Sequence, residues 1–265
     1  MRALHVIVCL KVVPKPEEVT VNRETMTIER ANVRSEINPA DMNALELALS
    51  LKEQHQGRVT LVAMGPPLFD PYLRLALAMG ADAAYLLSDR AFAGADTLAT
   101  SYTLAEGIRK IGDYDLILCG EESSDGATAQ VPPGIAEWLG IAQITYAHDL
   151  EVLSEARTAR ARRELAGGHE VIQVPLPCVA SVVVGANEPR FMDMERKAWA
   201  QGEGRVTVWT AQDLGIDEEM IGLKGSPTIV SGVEQAAAVQ RKREFLRGTP
   251  QEEAQALVER VRSYL

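Results

Sequence analysis

Four apolar runs alternate with helical segments over the first 140 residues of the chain. The runs are residues 3–13, "RVTLVAMG" (58–65), "ADAAYLLSD" (81–89) and "YDLILCG" (114–120), and they are apolar enough to be covered on both faces. Each is followed by a segment with helical periodicity and start or stop signals. The predicted caps are Asn38, Asp70 and Asp96, the first-turn prolines are Pro39 and Pro71, and the closing glycines are Gly57, Gly80 and Gly112. This alternation predicts an α/β fold with a doubly wound, mainly parallel sheet.

The pattern changes after Gly140. Residues 141–165 and 169–185 resemble strands, and Gly167 and Gly168 between them predict a hairpin that either extends the sheet or forms an antiparallel flap. Residues 187–232 show no clear periodicity, and such a segment is usually functional or lies against a partner. The last residues predict two helices separated by Gly248, Thr249 and Pro250. We therefore expect three parts: 1–186, 187–232 and a C-terminal helical arm, 233–265.

Charge and composition exclude several classes of function. With 37 acidic and 27 basic residues, the formal net charge is −10 at pH 7, which disfavours binding to nucleic acids or anionic membranes. No stretch approaches the roughly 18 to 20 apolar residues of a membrane span. Cys9, Cys119 and Cys178 lack zinc-site spacing, so no metal site is predicted and a cytoplasmic location is favoured. No GxSxG or HExxH motif occurs, which favours a binding or electron-transfer module over an enzyme.

The loop after the fourth predicted strand, "CGEESSDGATAQVPP" (119–133), is the best candidate for a ligand site. Ligands of parallel sheets bind at the carboxyl ends of strands, beside the N–H groups of helix N-termini. Asp125 could accept a hydrogen bond from a ribose or order the loop. The double proline, Pro132 and Pro133, places the start of the helix near Gln130 or Val131, so phosphate donors would come from the backbone of 126–131. An ordinary βα loop explains the same residues equally well, and the GxGxxG and GxxxxGK[ST] motifs are absent.

Four arginines precede the predicted hairpin turn. They are Arg157, Arg160, Arg162 and Arg163. Such a cluster is typical of the solvated face of a hairpin. The alternative is that one of these arginines reaches an anionic cofactor.

Several motifs occur together and in one order along the chain. They are "VIVCLKVVP", "INPADMNALELALSLKE", "ALAMGAD", "DLILCGEESSDGATAQVPPGIAEWLG", "RRELAGGHEVIQVPLPCVASVVVGANEPRF" and "DLGID". With these motifs the chain resembles the β subunit of electron transfer flavoproteins over nearly its whole length. The resemblance implies an adenine-nucleotide α-hydrolase-like fold and a heterodimer with an α subunit that holds an FAD. It also implies a pocket in this chain for AMP or, in electron-bifurcating members, for a second FAD.

The resemblance further implies which residues bind the nucleotide. They are Cys9, Leu10, Asn38, Pro39, Ala40, Asp41, Met64, Asp125, Gly126, Ala127, Thr128, Ala129, Gln130, Val131 and Pro132. The loop "DGATAQVPP" is similar to "DGDTAQVGP" of bifurcating members, which favours the second FAD over AMP. Ala127 here replaces an acid and Pro132 a glycine, so AMP stays open as the alternative. Arg163 is the candidate for a contact with the flavin of the α subunit.

Residues 186–201, "ANEPRFMDMERKAWAQ", resemble the loop by which the family docks on acyl-CoA dehydrogenases. The implied docking residues are Asn187, Glu188, Pro189, Arg190 and Met194. Met194 would enter an apolar pocket of the partner, since methionine adapts to irregular pockets; alternatively it packs on its own loop. The function implied is electron relay. A second hypothesis is a stand-alone adenine-nucleotide sensor of the universal-stress type, which shares the doubly wound sheet but needs neither docking segment nor arm.

Overall fold

The computed structural model describes residues 3–15, 21–22, 27–28, 34–229 and 245–262. The chain divides into two compact units, Met1–Gly232 and Val233–Leu265. The second unit contains one described helix, Pro250–Arg262, and the helix predicted before Gly248 lies outside the described residues. Over the part of the chain that the structure describes, no helix has the length and apolar character that crossing a membrane requires.

The first unit is built on a nine-stranded sheet. The strands of the chain are β1 (His5–Cys9), β2 (Val12–Pro14), β3 (Val21–Asn22), β4 (Thr27–Ile28), β5 (Ser35–Ile37), β6 (Arg58–Met64), β7 (Ala83–Leu87), β8 (Leu116–Gly120), β9 (Ala142–Leu153), β10 (Thr158–Leu165), β11 (Gly168–Pro175), β12 (Cys178–Val182) and β13 (Val206–Trp209). The sheet has the order β11-β10-β9-β12-β8-β1-β6-β7-β13. It is parallel from β9 to β13, while β10 and β11 run antiparallel. The predicted mainly parallel sheet is confirmed, and the hairpin extends it.

Helices cover both faces of this sheet. They are α1 (Pro39–His55), α2 (Asp70–Met79), α3 (Thr97–Ile111), α4 (Val131–Leu139), α5 (Met194–Gln201) and α6 (Ala211–Leu214), and α7 is Pro250–Arg262 in the second unit. Val6 and Val8 of β1 pack in the core with α1 and α2, whereas Ile7 and Cys9 pack in the core with α3 and α4. Every residue of β1 is therefore buried, which is why its sequence is apolar without alternation.

One predicted helix cap, Asp70, is wrong, and another, Asn38, is correct in position but not in its hydrogen bonds. Helix α1 begins at Pro39 as expected, but Asn38 makes no side-chain capping bond, because its amide binds the loop after β8. Asp70 is the first residue of α2 rather than its cap, and its carboxylate pairs with Arg74 one turn on. The cap of α3 is confirmed, since the Asp96 carboxylate accepts hydrogen bonds from the N–H groups of Leu98 and Ala99.

The predicted end of α1 is also displaced. Gln56, with φ of 50°, closes α1 in the left-handed conformation, one residue before Gly57. Glycine is nevertheless required at 57, because a Cβ there would lie 2.4 Å from the carbonyl oxygen of Leu4. Gly57 therefore marks the end of α1 to within one residue. The need for glycine there comes from the close approach of the Leu4 backbone and not from helix termination.

Two longer segments differ from expectation. Residues 3–13 form two strands rather than one: β1 lies in the large sheet, and β2 leaves it to pair with β5. The prediction that 187–232 lacks regular structure is wrong, since α5, β13 and α6 lie there and β13 joins the edge of the sheet beside β7. These elements are four to eight residues long, which is too short for periodicity to reveal them.

Candidate functional site

The cleft lies where the strand order reverses. The chain leaves β1 toward β6 on one side, and reaches β8 on the other side only later, so α1 and α4 cover opposite faces of the sheet. In open α/β sheets the loops that follow two such strands diverge and leave a crevice at the carboxyl ends of the strands, which we call the cleft. In open α/β sheets this is the position at which ligands bind.

The floor of the cleft is organised by Asp41, in the first turn of α1. Its side chain is buried and accepts hydrogen bonds from the backbone N–H of Lys11, at 2.7 Å, and of Gly120, at 2.9 Å. It thus joins the ends of β1 and β8. Burial raises the pKa of Asp41 to about 6, and these hydrogen bonds offset part of that rise. Only glycine fits at 120, because a Cβ would lie 2.4 Å from the carboxylate of Asp41.

The cleft loop, residues 121–130, forms one wall. Asn38 is 2% exposed; its Nδ2 donates to the carbonyl of Glu122 at 2.8 Å, and its Oδ1 accepts from the N–H of Ser124 at 3.1 Å. The Lys11 ammonium donates to the carboxylate of Asp125 at 2.5 Å and to the hydroxyl of Ser123 at 3.1 Å. Burial raises the pKa of Asp125, but the hydrogen bond and charge of Lys11 outweigh that effect and hold it below its usual value.

Beyond Asp125 the backbone takes a strained course. Ala127 and Ala129 have φ of 45° and 54°, a left-handed conformation that costs a non-glycine residue about 1–2 kcal/mol. Such conformations cluster at functional sites. The N–H groups of Gly126 and Ala127 bind the carbonyl of Ser123. Among the described residues, the N–H groups of 128–131 have no such partner, and they lie at the start of α4.

Helix α4 begins at Val131 behind the cap residue Gln130, as the double proline predicted. The Thr97 hydroxyl donates to Oε1 of Gln130 at 2.8 Å and ties the start of α3 to that of α4. Free N–H groups at a helix start carry partial positive charge and suit a phosphate group. The donors present therefore fit a phosphate group.

The other predicted nucleotide residues lie at the same end of the sheet. Cys9 ends β1, Met64 ends the adjacent β6, and Ala40 packs against Gly120. The N–H of Leu10 already binds the carbonyl of Val62, so only its carbonyl is left for a ligand. The sequence-predicted residues of β1, α1, β6 and the cleft loop are thus brought together, although direct contact with a nucleotide stays a prediction.

The three cysteines are far apart in the sequence, but two of them lie close together in the core below the cleft. Cys9 and Cys119 lie on the paired strands β1 and β8, both buried in the same core. The neighbouring Cys9 thiol and burial raise the pKa of Cys119 well above its usual value. All three cysteines are free thiols. Among the described residues, no group of three His, Cys, Asp or Glu side chains is arranged to hold a metal ion.

Arg163 lies outside the cleft. In the sheet, Arg163 is paired with Ala147, Ala147 with Val182, and Val182 with Gly120. Arg163 is therefore level with Gly120 along the strands but three strands away from it. At a spacing of about 4.8 Å per strand, this separation is about 14 Å. Its Nε lies 2.8 Å from a carboxylate oxygen of Glu170. A cavity of about 260 Å³ opens on this hairpin, lined by His148, Arg162, Glu164, Leu165, Gly168 and His169.

The other three arginines of the cluster are also paired. Arg157 binds Asp115, Arg160 binds Glu151 and Arg162 binds Asp149. Their side chains are between 41% and 58% exposed, as expected for the solvated face of a hairpin. None of the four lies at the cleft between β1 and β8. Arg160, Arg162 and Arg163 are on β10, which β9 and β12 separate from β8. Arg157 binds Asp115 at the opposite, N-terminal end of β8.

The docking segment, residues 187–194, is clamped onto α1. The backbone N–H and the guanidinium of Arg190 bind the carboxylate of Glu46, each at 2.9 Å, and the guanidinium also reaches Glu53. Asn187 and Asn43 exchange hydrogen bonds of 3.0 and 2.7 Å. Burial raises the pKa of Glu46, but the hydrogen bonds and charge of Arg190 outweigh it and lower the pKa.

Three large apolar side chains of this clamped segment are exposed, and Met192 is the least exposed of them, at 38%. Phe191 is 96% exposed and Met194, the first residue of α5, is 70% exposed, so Met194 does not pack on its own loop. Glu188 and Pro189 are also exposed. Sequence reasoning missed Phe191 and the anchors Asn43, Glu46 and Glu53. Asn43 and Glu46 are polar residues among the apolar residues of α1, and this pattern could have indicated that they bind another segment.

Comparison with known proteins identifies the family of this chain. Residues 25–214 match the family described as "Electron transfer flavoprotein domain". The electron transfer flavoprotein subunit beta of Clostridium acetobutylicum is 47% identical over 227 residues, 86% of each chain. The caffeyl-CoA reductase-Etf complex subunit CarD of Acetobacterium woodii is 45% identical over 228 residues, again 86% of each chain. Protein FixA of Azorhizobium caulinodans is 44% identical over 87% of this chain and 84% of its own.

The nine-stranded, mostly parallel sheet with helices on both faces defines the class of doubly wound α/β proteins. Within that class, the chain belongs to the electron transfer flavoprotein family, and its relatives include β subunits by name. The resemblance stated from the sequence is thus confirmed. The shared name is that of an electron-transfer subunit, which also confirms the expectation of an electron carrier rather than an enzyme in its own right.

Proposed function

We propose that this chain is the β subunit of a heterodimeric electron transfer flavoprotein and that its cleft holds an adenine nucleotide. The α subunit would carry an FAD. The observation that supports the nucleotide most directly is the set of N–H groups of 128–131 at the start of α4, beside the Asp41 junction of β1 and β8. Family membership supports the flavin and the electron transfer.

A second FAD is the favoured occupant of the cleft, and AMP is the alternative. Both carry an adenylate, so the same N–H groups serve either ligand. The overall loop sequence "DGATAQVPP" favours FAD. Relative to "DGDTAQVGP", this loop lacks the acid at position 127 and the N–H at position 132. Fewer groups are then available for the two phosphates of FAD, so AMP, with its single phosphate, is the alternative.

The flavin would supply the electron chemistry, and the residues of this chain would position and shield it. Asp41, Asn38 and the cleft loop fix the walls around the nucleotide. Arg163, at the same end of the sheet, would lie beside the flavin of the α subunit, where a guanidinium favours the more negative, reduced form by electrostatic attraction. Neither role requires an acid or base in this chain.

The docking segment would meet an acyl-CoA dehydrogenase-type flavoenzyme. Its clamp to α1 reduces the entropy lost on binding, and Phe191 and Met194 present exposed apolar area to a partner. The name of one relative places it in a complex with a reductase of a CoA ester, which supports a partner of that class. The free cysteines support a cytoplasmic location.

Co-expression with the α subunit tests this proposal. We expect a yellow heterodimer whose flavin is reduced when an acyl-CoA dehydrogenase and its substrate are added. The alternative, a stand-alone nucleotide sensor of the universal-stress type, predicts instead a stable homodimer that binds ATP without any flavin partner. A chain that forms this homodimer and stays colourless with the α subunit would refute electron relay.

A further inference from the structure

The cleft loop is held by a cation that comes from a different part of the chain. Lys11 follows β1, and its backbone N–H binds the buried carboxylate of Asp41. Its ammonium donates hydrogen bonds to the carboxylate of Asp125, at 2.5 Å, and to the hydroxyl of Ser123, at 3.1 Å. Lys11 therefore joins the floor of the cleft to the wall that carries the N–H groups.

The loop needs such support because its conformation is unfavourable by itself. Most of residues 122–128 are exposed, so apolar packing contributes little to their position. Ala127 and Ala129 are in left-handed conformations that a free chain would leave. Asn38 fixes the loop at Glu122 and Ser124, and Lys11 fixes it at Ser123 and Asp125, immediately before the strained residues.

We propose that Lys11 is a positioning residue of the nucleotide site: its bridge to Asp125 holds the cleft loop so that the N–H groups of 128–131 face the ligand. This inference rests on the proposed function. Asp125 is then a structural acceptor for Lys11 rather than an acceptor for ribose. Lys11 was absent from the residues that the sequence analysis assigned to the site.

The competing role is direct contact between the Lys11 ammonium and a phosphate. The two roles differ in what Asp125 does. If Lys11 positions the loop, then Lys11→Gln and Asp125→Asn break the same bridge, and the double variant should be no worse than either single variant. If Lys11 contacts phosphate, Asp125→Asn releases the ammonium and leaves binding unchanged or tighter.

The experiment measures AMP binding to the purified heterodimer by titration calorimetry after its bound nucleotide has been dialysed away. We expect Lys11→Gln and Asp125→Asn each to weaken binding about tenfold, as for loss of one charge-assisted hydrogen bond. Lys11→Arg should restore most of the affinity. Lys15→Gln is the matched control, since Lys15 forms a separate pair with Glu36. Tight binding by Asp125→Asn, or wild-type affinity in Lys11→Gln, would overturn the proposal.

Hydrogen exchange of the same heterodimers separates this inference from the proposed function. Without nucleotide, Lys11→Gln should increase exchange of the bonded loop N–H groups, those of Ser124, Gly126 and Ala127, and leave the N–H groups of β1 and β8 unchanged. Lys15→Gln should match the wild type. If the wild type binds neither AMP nor FAD in this cleft but exchange still rises, the nucleotide proposal fails and the positioning role of Lys11 in the loop stands. Unchanged exchange in Lys11→Gln would refute the positioning role whatever the ligand.

Discussion

The cleft loop and the docking segment are both anchored by polar residues in the first half of α1, yet their exposed groups differ in chemistry. Asn38 and Asp41 hold the neighbourhood of the cleft loop, while Asn43 and Glu46, about one turn further along α1, hold the docking segment. The cleft loop offers backbone N–H groups from a strained backbone. The docking segment offers apolar side chains from a clamped one.

The position of the cation explains the difference. In the cleft the cation, Lys11, is outside the loop and its acceptor Asp125 is within it, so the bridge ties the loop to the end of β1. In the docking segment the cation, Arg190, is within the segment and its acceptors Glu46 and Glu53 are on α1, so the segment is tied to α1 while Phe191 and Met194 stay exposed. We call these two side chains the apolar ridge. Backbone N–H donors suit a small anion, and exposed apolar side chains suit the pocket of a protein.

The largest expected effect comes from Asp41, the residue on which the cleft depends. Asp41→Ala leaves the buried N–H of Gly120 and the partly buried N–H of Lys11 without their acceptor, and should lower the free energy of unfolding by about 3 kcal/mol. Nucleotide should be lost from the heterodimer. Denaturant titration and nucleotide extraction measure both. Normal electron exchange with the dehydrogenase in the molecules that remain folded would show that docking is independent; a nucleotide content equal to wild type would contradict the role of Asp41.

Arg190→Ala should have the next largest effect, on the other loop. It leaves the buried Glu46 without its partner and should cost about 2 kcal/mol of unfolding free energy at pH 7. Arg160→Ala, which breaks an exposed pair with Glu151, is the control and should cost less than about 1 kcal/mol. If Arg190→Ala and Arg160→Ala lowered the free energy of unfolding equally, the Arg190–Glu46 pair would be no stronger than an exposed surface pair.

The same clamp predicts a pH dependence. Because the folded pKa of Glu46 is below its ordinary value of 4.5, its contribution to stability is present above pH 4.5 and is lost as the pH falls through the folded pKa. The stability difference between wild type and Glu46→Gln should therefore shrink in that range. A difference that stays constant from pH 7 to the acid limit would show that Glu46 acts by packing alone.

The apolar ridge should govern the rate of electron exchange and nothing in the cleft. Phe191→Ala and Met194→Ala should each slow reduction by the dehydrogenase several-fold, with the larger effect for Phe191 because it is the more exposed. Flavin and nucleotide content should be unchanged. Stopped-flow reduction measures the rate, with the exposed Val171 on β11 as a control site for Val171→Ala. A rate unaffected by both ridge variants would exclude these anchors.

The smallest effect should come from the strained backbone of the cleft loop. Ala129→Gly removes the cost of the left-handed conformation and should change unfolding free energy by less than about 1 kcal/mol. Ala129→Val, whose branched side chain tolerates that conformation poorly, should destabilise the loop and weaken nucleotide binding. Thermal unfolding and AMP titration compare the two. Equal affinities for Gly and Val would mean that the loop changes its conformation on binding.

The sequence predicted the fold better than it predicted the site. Strand burial and the double proline at 132 and 133 led to the doubly wound sheet and to the start of α4, because these signals are local. Lys11 and Asp125 are 114 residues apart, and Arg190 and Glu46 are 144 apart, so no spacing could reveal either pair. Asn38 was likewise predicted to cap α1, because its true partners, Glu122 and Ser124, lie more than 80 residues further along the chain. Residues 194–214 were missed because their elements are short.

The central claim is that the cleft between β1 and β8 holds an adenine nucleotide in addition to the FAD of the α subunit. Acid extraction of the purified heterodimer, followed by quantification of FAD and AMP per β chain, tests it directly. We predict two adenine nucleotides per heterodimer, either two FAD or one FAD and one AMP. A stable heterodimer that contains a single FAD and no further adenine nucleotide would contradict the account.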